Sequence, residues 1–128
     1  MRLTGVGHIA LTVTDLQRSR TWYERVLGWS AVAEGDGDGV RFAVGSVPDG
    51  LLIGLREYDA TDGGRFDPLR VGLDHLAFAV GAEDLEGWEQ RLTEFGVTHD
   101  AVQDTPFGLV LNLKDPDGIA LELTAPKG

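Results

Sequence analysis

The chain repeats itself. The stretch Gly7–Val13 (G-H-I-A-L-T-V) returns as Asp74–Val80 (D-H-L-A-F-A-V). In both, apolar residues alternate with small or polar ones, the period of a strand with one buried face. Each strand runs into a helical pattern that stops at a glycine: Asp15 to Leu27 before Gly28, and about Asp84 to Phe95 before Gly96. Glycine suits the left-handed residue that closes a helix. Three shorter strand-like runs follow each helix, and the last pair matches again. Gly39–Val44 followed by P-D-G at Pro48–Gly50 parallels Gly108–Leu113 followed by D-P-D-G at Asp115–Gly118. The triplets are turn chemistry between strands. Each half therefore reads strand, helix, three strands.

A duplicated unit of this kind predicts an α+β fold of two tandem βαβββ modules, at about 5–58 and 72–126. The Gly/Asp-rich stretch 59–71 joins them, and the two halves are expected to pack as a single domain. Leu85, Trp88, Leu92 and Phe95 fall at spacings of three and four, and Leu16, Trp22, Tyr23, Val26 and Leu27 form a broader stripe. At that spacing the aromatics read as core packing. The 18 glycines among 128 residues are about twice average usage, in keeping with many tight turns.

Strand alternation decides which side chains share a surface. Ile9, Leu11 and Val13 form one face of the first strand, leaving His8, Ala10 and Thr12 on the other. In its repeat the second face carries His75, Ala77 and Ala79. In Ile119–Thr124, Leu121 and Leu123 go to the helix side and leave Ala120, Glu122 and Thr124. Two histidines and a glutamate thus project from one kind of face among small neighbours that leave room for a cavity. Neutral imidazoles and a carboxylate match divalent Fe, Mn, Ni, Co or Zn, with coordination positions open to water and substrate. By the same parity Arg41, with Ala43, and Arg56, with Gly54 and Leu52, face the cavity side or reach solvent at the sheet edges. A guanidinium fork there suits a small carboxylate, phosphate or phosphonate. Tyr58 and Asn112 are candidate hydroxyl and amide donors to the same substrate, while His99, in T-H-D, reads as a surface histidine.

The chain has 11 Lys+Arg against 21 Asp+Glu, a formal net charge of −10, and no cysteine. The acidity argues against a nucleic-acid backbone as partner. The missing thiols remove disulfides, thiol redox chemistry and cysteine-based zinc sites. No run approaches the roughly 18–20 apolar residues of a membrane span, and the N-terminus lacks a signal-peptide core, so a cytoplasmic protein is expected.

G-H-I-A-L-T-V-T-D-L at Gly7–Leu16 and W-Y-E-R-V-L-G-W at Trp22–Trp29 carry a resemblance. So do G-L-D-H-L-A-F-A-V at Gly72–Val80 and D-P-D-G-I-A-L-E-L at Asp115–Leu123. Together they resemble the vicinal oxygen chelate superfamily of glyoxalases, bleomycin-resistance proteins and extradiol dioxygenases. The resemblance implies modules whose mixed sheets curl around a metal-binding cavity. It also implies His8, His75 and Glu122 as ligands of a divalent metal, and a homodimer in which ligands of one site come, in several branches, from two chains.

Departures from the pattern narrow the chemistry that the resemblance implies. Glyoxalase I enzymes add a glutamate on the last strand of the first module, where Gly54 aligns with Glu122; Glu57 is nearby with the opposite parity. Asn112 stands where extradiol dioxygenases carry a tyrosine, and 103–105 has no histidine. The leading expectation is a metal-dependent enzyme binding two neighbouring oxygens of a small, oxygen-rich, anionic molecule. A drug-sequestering protein of bleomycin-resistance type and a thiol transferase like the fosfomycin-resistance enzymes are the alternatives.

Overall fold

The structure is a computed structural model and describes every residue except Asp49, Asp62 and Gly128. The turn at 48–50 and the connector at 59–71 therefore each contain one position outside the described residues. The chain divides into two compact units, Met1–Gly64 and Arg65–Gly128, a boundary inside the expected connector.

The first unit contains β1 (His8–Thr12), α1 (Leu16–Leu27), β2 (Ser30–Gly37), β3 (Val40–Ser46) and β4 (Leu52–Tyr58). Its mixed sheet has the order β1-β4-β3-β2, with β1 parallel to β4 and the other pairs antiparallel. The Asp15 side chain accepts from the Arg18 amide at the start of α1, and Gly28 closes the helix at φ 71°. Asp38 and Gly39, both at positive φ, turn β2 into β3, the two-residue hairpin that matches strand twist. Tyr23, Val26 and Leu27 of the helix and Leu11, Ala43, Ile53 and Leu55 of the sheet form the core. Trp29 lies with them, its indole N–H donating to the Ile53 carbonyl at 3.0 Å.

The second unit repeats the plan with β5 (Leu76–Ala79), a short 3₁₀ turn, α2 (Leu85–Glu94), β6 (Gln103–Thr105), β7 (Gly108–Lys114) and β8 (Ala120–Ala125). Its sheet order is β5-β8-β7-β6, and β5 runs parallel to β8. Leu111, Leu113, Leu121 and Leu123 meet Leu85 and Leu92 in the core. Trp88 and Phe95 stay half-buried, with the Arg91 guanidinium over both rings. The expected α+β pair of βαβββ modules is thus the observed architecture. Among the described residues no helix is long and apolar enough to cross a membrane.

Candidate metal centre

The second unit assembles the stronger half of the expected ligand set. His75 stands in front of β5, and Glu122 sits on β8 opposite Ala77. Because β5 and β8 are parallel neighbours, both side chains rise from the sheet face opposite the buried leucines. His75 Nε2 lies 3.4 Å from Glu122 Oε2. On the other side of the ring, Nδ1 donates to Asp74 Oδ1 at 2.8 Å. A histidine whose Nδ1–H is held by a carboxylate presents the Nε2 lone pair outward, the arrangement that orients metal-binding imidazoles. The Asp74 hydrogen bond raises the His75 pKa above its ordinary value of 6.5; partial burial opposes the rise, and the Glu122 and Asp74 charges add to it. Among the described residues no group of three His, Cys, Asp or Glu side chains is gathered tightly enough to hold an ion.

The turn between β7 and β8 places Glu122. The buried Asp115 carboxylate accepts from the amides of Asp117 and Ile119, each at 2.9 Å, and Gly118 takes φ 79°. This fixes the β7–β8 register, which puts Asn112 opposite Glu122 and Lys114 opposite Ala120. The segment around His99 adds a further row: Asp100 N donates to the Asn112 carbonyl and Lys114 N to the Thr98 carbonyl, both at 3.0 Å. The open face is therefore a grid, with His75, Ala120, Lys114 and Thr98 in one row and Ala77, Glu122, Asn112 and Asp100 in the next. It borders a cleft of about 210 Å³ whose polar lining includes His75, Glu122, Asn112, Asp100 and Lys114. The Asn112 amide reaches Asp100 Oδ2 at 3.4 Å.

His99 pairs with Leu113 and so takes the opposite parity. Its ring is tied to Thr93 Oγ1 at 2.8 Å and to the Asp100 carbonyl at 2.7 Å, as suits a surface histidine. Asp74, Lys114 and Asp100 were missed by reading the sequence. Lys114 and Asp100 follow from strand parity once the β7 register is known, whereas Asp74 precedes its strand and has no periodic signal.

In the first unit His8 opens β1, exposed and opposite Leu52, and Gly54 lies opposite Ala10. Ala10–Gly54 thus repeats Ala77–Glu122, as the alignment requires, and Gly54 brings no ligand. Glu57 faces α1, where Oε1 accepts from the Leu16 amide at 2.7 Å. Arg56 lies on the open face with Thr12 and Phe42, and its Nε donates to the Tyr58 hydroxyl at 2.8 Å. Arg41 corrects the expectation. It is in register with Glu57 and shares the face of the buried Ala43, so it is on the helix side, paired with Glu57 and Asp59. The Ala43↔Leu55 register sets that parity, and a slip of one residue would invert it.

A family model, the Glyoxalase/Bleomycin resistance protein/Dioxygenase superfamily, matches residues 5–123. Glutathione transferase FosA of Serratia marcescens is 34% identical over 122 residues, covering 94% of this chain and 80% of that protein. Metallothiol transferase FosB of Bacillus licheniformis is 27% identical over 135 aligned residues, covering 95% and 75%. Among solved structures, a glyoxylase/bleomycin resistance protein/dioxygenase domain from Frankia sp. EAN1pec is 43% identical with a TM-score of 0.92, covering 98% of this chain and 94% of that one.

Proposed function

Since the chain belongs to the Glyoxalase/Bleomycin resistance protein/Dioxygenase superfamily, we propose that it is a divalent-metal-dependent enzyme that transfers a thiol to a small, oxygen-rich, anionic substrate. One observation carries the metal dependence: His75 Nε2 and Glu122 Oε2 stand 3.4 Å apart on an open face of small residues, with the imidazole aimed from behind by Asp74. The donor set of a neutral imidazole and a carboxylate fits Fe, Mn, Ni, Co or Zn, and His8 is the third ligand in this reading. The relatives' names favour thiol transfer, because one is a glutathione transferase and another a metallothiol transferase.

When bound, the metal supplies a Lewis acid able to take two substrate oxygens. The chain's own groups do the rest. Asp74 holds the His75 proton on Nδ1, keeping Nε2 free to ligate. The Asn112 amide offers a donor beside Glu122, and the Lys114 ammonium sets a positive charge two positions along the same strand face, where oxygen gains negative charge. In the transfer, sulfur bonds to a substrate carbon, the carbon–oxygen bond breaks, and the released oxygen takes up the proton that the thiol gives.

Metal analysis after loading with Fe, Mn, Ni and Zn tests the first step. Wild type is expected to retain one of these ions, with retention weakened at least about tenfold in His75→Ala and Glu122→Gln. Equal retention in wild type and His75→Ala overturns the reading. Thiol consumption against a panel of small anionic epoxides tests the second step. Stoichiometric drug protection that neither chelator nor Glu122→Gln changes would instead mark a binding protein without chemistry.

A further inference from the structure

On the face of the first sheet turned away from α1, the ladder sets out three successive rows. His8, Leu52 and Ser46 form one, Ala10, Gly54 and Val44 the next, and Thr12, Arg56 and Phe42 the third. Tyr58 shares this face two residues beyond Arg56. The Arg56 guanidinium carbon lies 5.5 Å from the centre of the Phe42 ring and 5.4 Å from that of Tyr58, while Nε donates to the Tyr58 hydroxyl at 2.8 Å. Both rings and the phenol thus restrain the fork, leaving its two terminal nitrogens without an acceptor among the described residues.

Its charge environment sets Arg56 apart. Arg20 and Arg41, in the same unit, pair with Glu34, Glu57 and Asp59. Among the described residues Arg56 has no carboxylate partner, in a chain whose 21 acidic residues outnumber its 11 basic ones. A planar cation held in place and left unpaired suits a bidentate oxyanion. Its stacking on aromatic rings lowers the ordering cost of binding one.

The middle row keeps the approach clear. Gly54 has no positive φ, and a Cβ there would meet the Ala10 Cβ at 3.7 Å and Val44 Cγ2 at 3.8 Å, which are ordinary contacts. Neither backbone conformation nor crowding requires glycine at this position. Its consequence is a flat floor of Ala10 and Gly54 between His8 and Arg56. Four residues of strand separate the His8 and Thr12 rows by about 13 Å.

We propose that this face is an oxyanion subsite. Arg56, held by Phe42 and Tyr58, receives the carboxylate, phosphate or phosphonate end of a substrate whose other end lies across the Ala10–Gly54 floor toward His8. On the reading of His8 as a metal ligand given above, the substrate class is a small anion with its charged end several bonds from the oxygens that react.

The test uses the full chain without metal, in low-salt buffer, with inorganic phosphate and acetate as separate probes. Affinity is read by calorimetry, and the site by NMR of the Arg56 Nε–H signal. Saturable binding of either anion that shifts this signal is expected, and the tighter of the two identifies the anion class. Affinity is expected to fall about tenfold or more in Arg56→Gln, the scale of losing charge-assisted hydrogen bonds. Arg56→Lys should bind within about threefold of Arg56→Gln, because a point charge lacks the fork. The subsite is overturned if wild type binds neither anion, or if Arg56→Gln or Arg56→Lys binds with wild-type affinity. Near-UV circular dichroism and metal retention of Arg56→Gln report its folding. Metal-free binding makes this failure separable: loss of the anion effect with metal retention intact removes the subsite alone, and the reverse result removes the metal reading alone.

Discussion

His75 carries the residue-scale chemistry, and its two neighbours pull on different atoms. Asp74 Oδ1 accepts a hydrogen bond from Nδ1–H at 2.8 Å, and Glu122 stands before Nε2. The raised pKa means that the protonated ring is bound more tightly in the folded chain than in the unfolded one. The stabilisation it brings is fully present below the ordinary value of 6.5 and is lost as pH rises through the folded value. In metal-free protein, Asp74→Asn is expected to move the His75 NMR titration down toward 6.5, since the hydrogen bond to Asp74 is the largest cause of the rise. Its stability deficit against wild type should appear below that pH and close above the folded value. A His75 titration unmoved in Asp74→Asn refutes the assignment. The same proton competes with a metal for Nε2, so metal retention should weaken as pH falls through the raised value.

At the scale of the element, strands were legible in proportion to how unequal their two faces are. In β1, β5 and β8 one face is aliphatic and the other small or polar, and the placement of His8, His75 and Glu122 followed. Arg56 and Glu57 on β4 fell on the expected faces as well. On β3 the rule failed for Arg41, because Val40, Phe42 and Val44 are as apolar as Ala43 and Gly45 on the other face. Only pairing with β4 tells the two apart, and pairing is not written in a single strand. Glycines show the same limit. A Cβ on Gly45 would lie 2.3 Å from the Ser30 carbonyl oxygen and 2.6 Å from a Trp29 ring atom, so this glycine lets β2 and the buried indole close on β3. Gly45→Ala is expected to cost about 1–3 kcal/mol through overpacking. Gly54→Ala should be neutral or gain up to about 1 kcal/mol, as a strand-interior glycine relieved of its excess freedom. Urea midpoints compare the two, and a wild-type midpoint for Gly45→Ala contradicts the close approach.

For the whole molecule, the duplication was legible because two copies of one pattern corroborate each other. What distinguishes the copies was less so: the second unit's open face carries Glu122 and Asn112 where the first carries Gly54 and Val44, and the first carries Arg56 where the second carries Thr124. These local charges sit on a background of −10, which has its own consequence for stability. Two like charges about 20 Å apart repel by roughly 0.2 kcal/mol in water. Ten unbalanced charges make some tens of such pairs, so the unscreened total is roughly several kcal/mol. Salt also weakens the exposed ion pairs, Arg20–Glu34, Arg41–Asp59 and Lys127–Asp104, but each is worth only about 0–1 kcal/mol. The repulsion outweighs them. Raising NaCl from about 10 to 150 mM shortens the Debye length from about 30 to 8 Å, cutting the long-range repulsion while leaving close pairs partly intact. At pH 7 the metal-free protein should therefore unfold at a higher urea concentration in 150 mM NaCl than in 10 mM, with an unchanged slope. A midpoint that falls with salt would mean that the ion pairs, rather than the net charge, dominate its electrostatics.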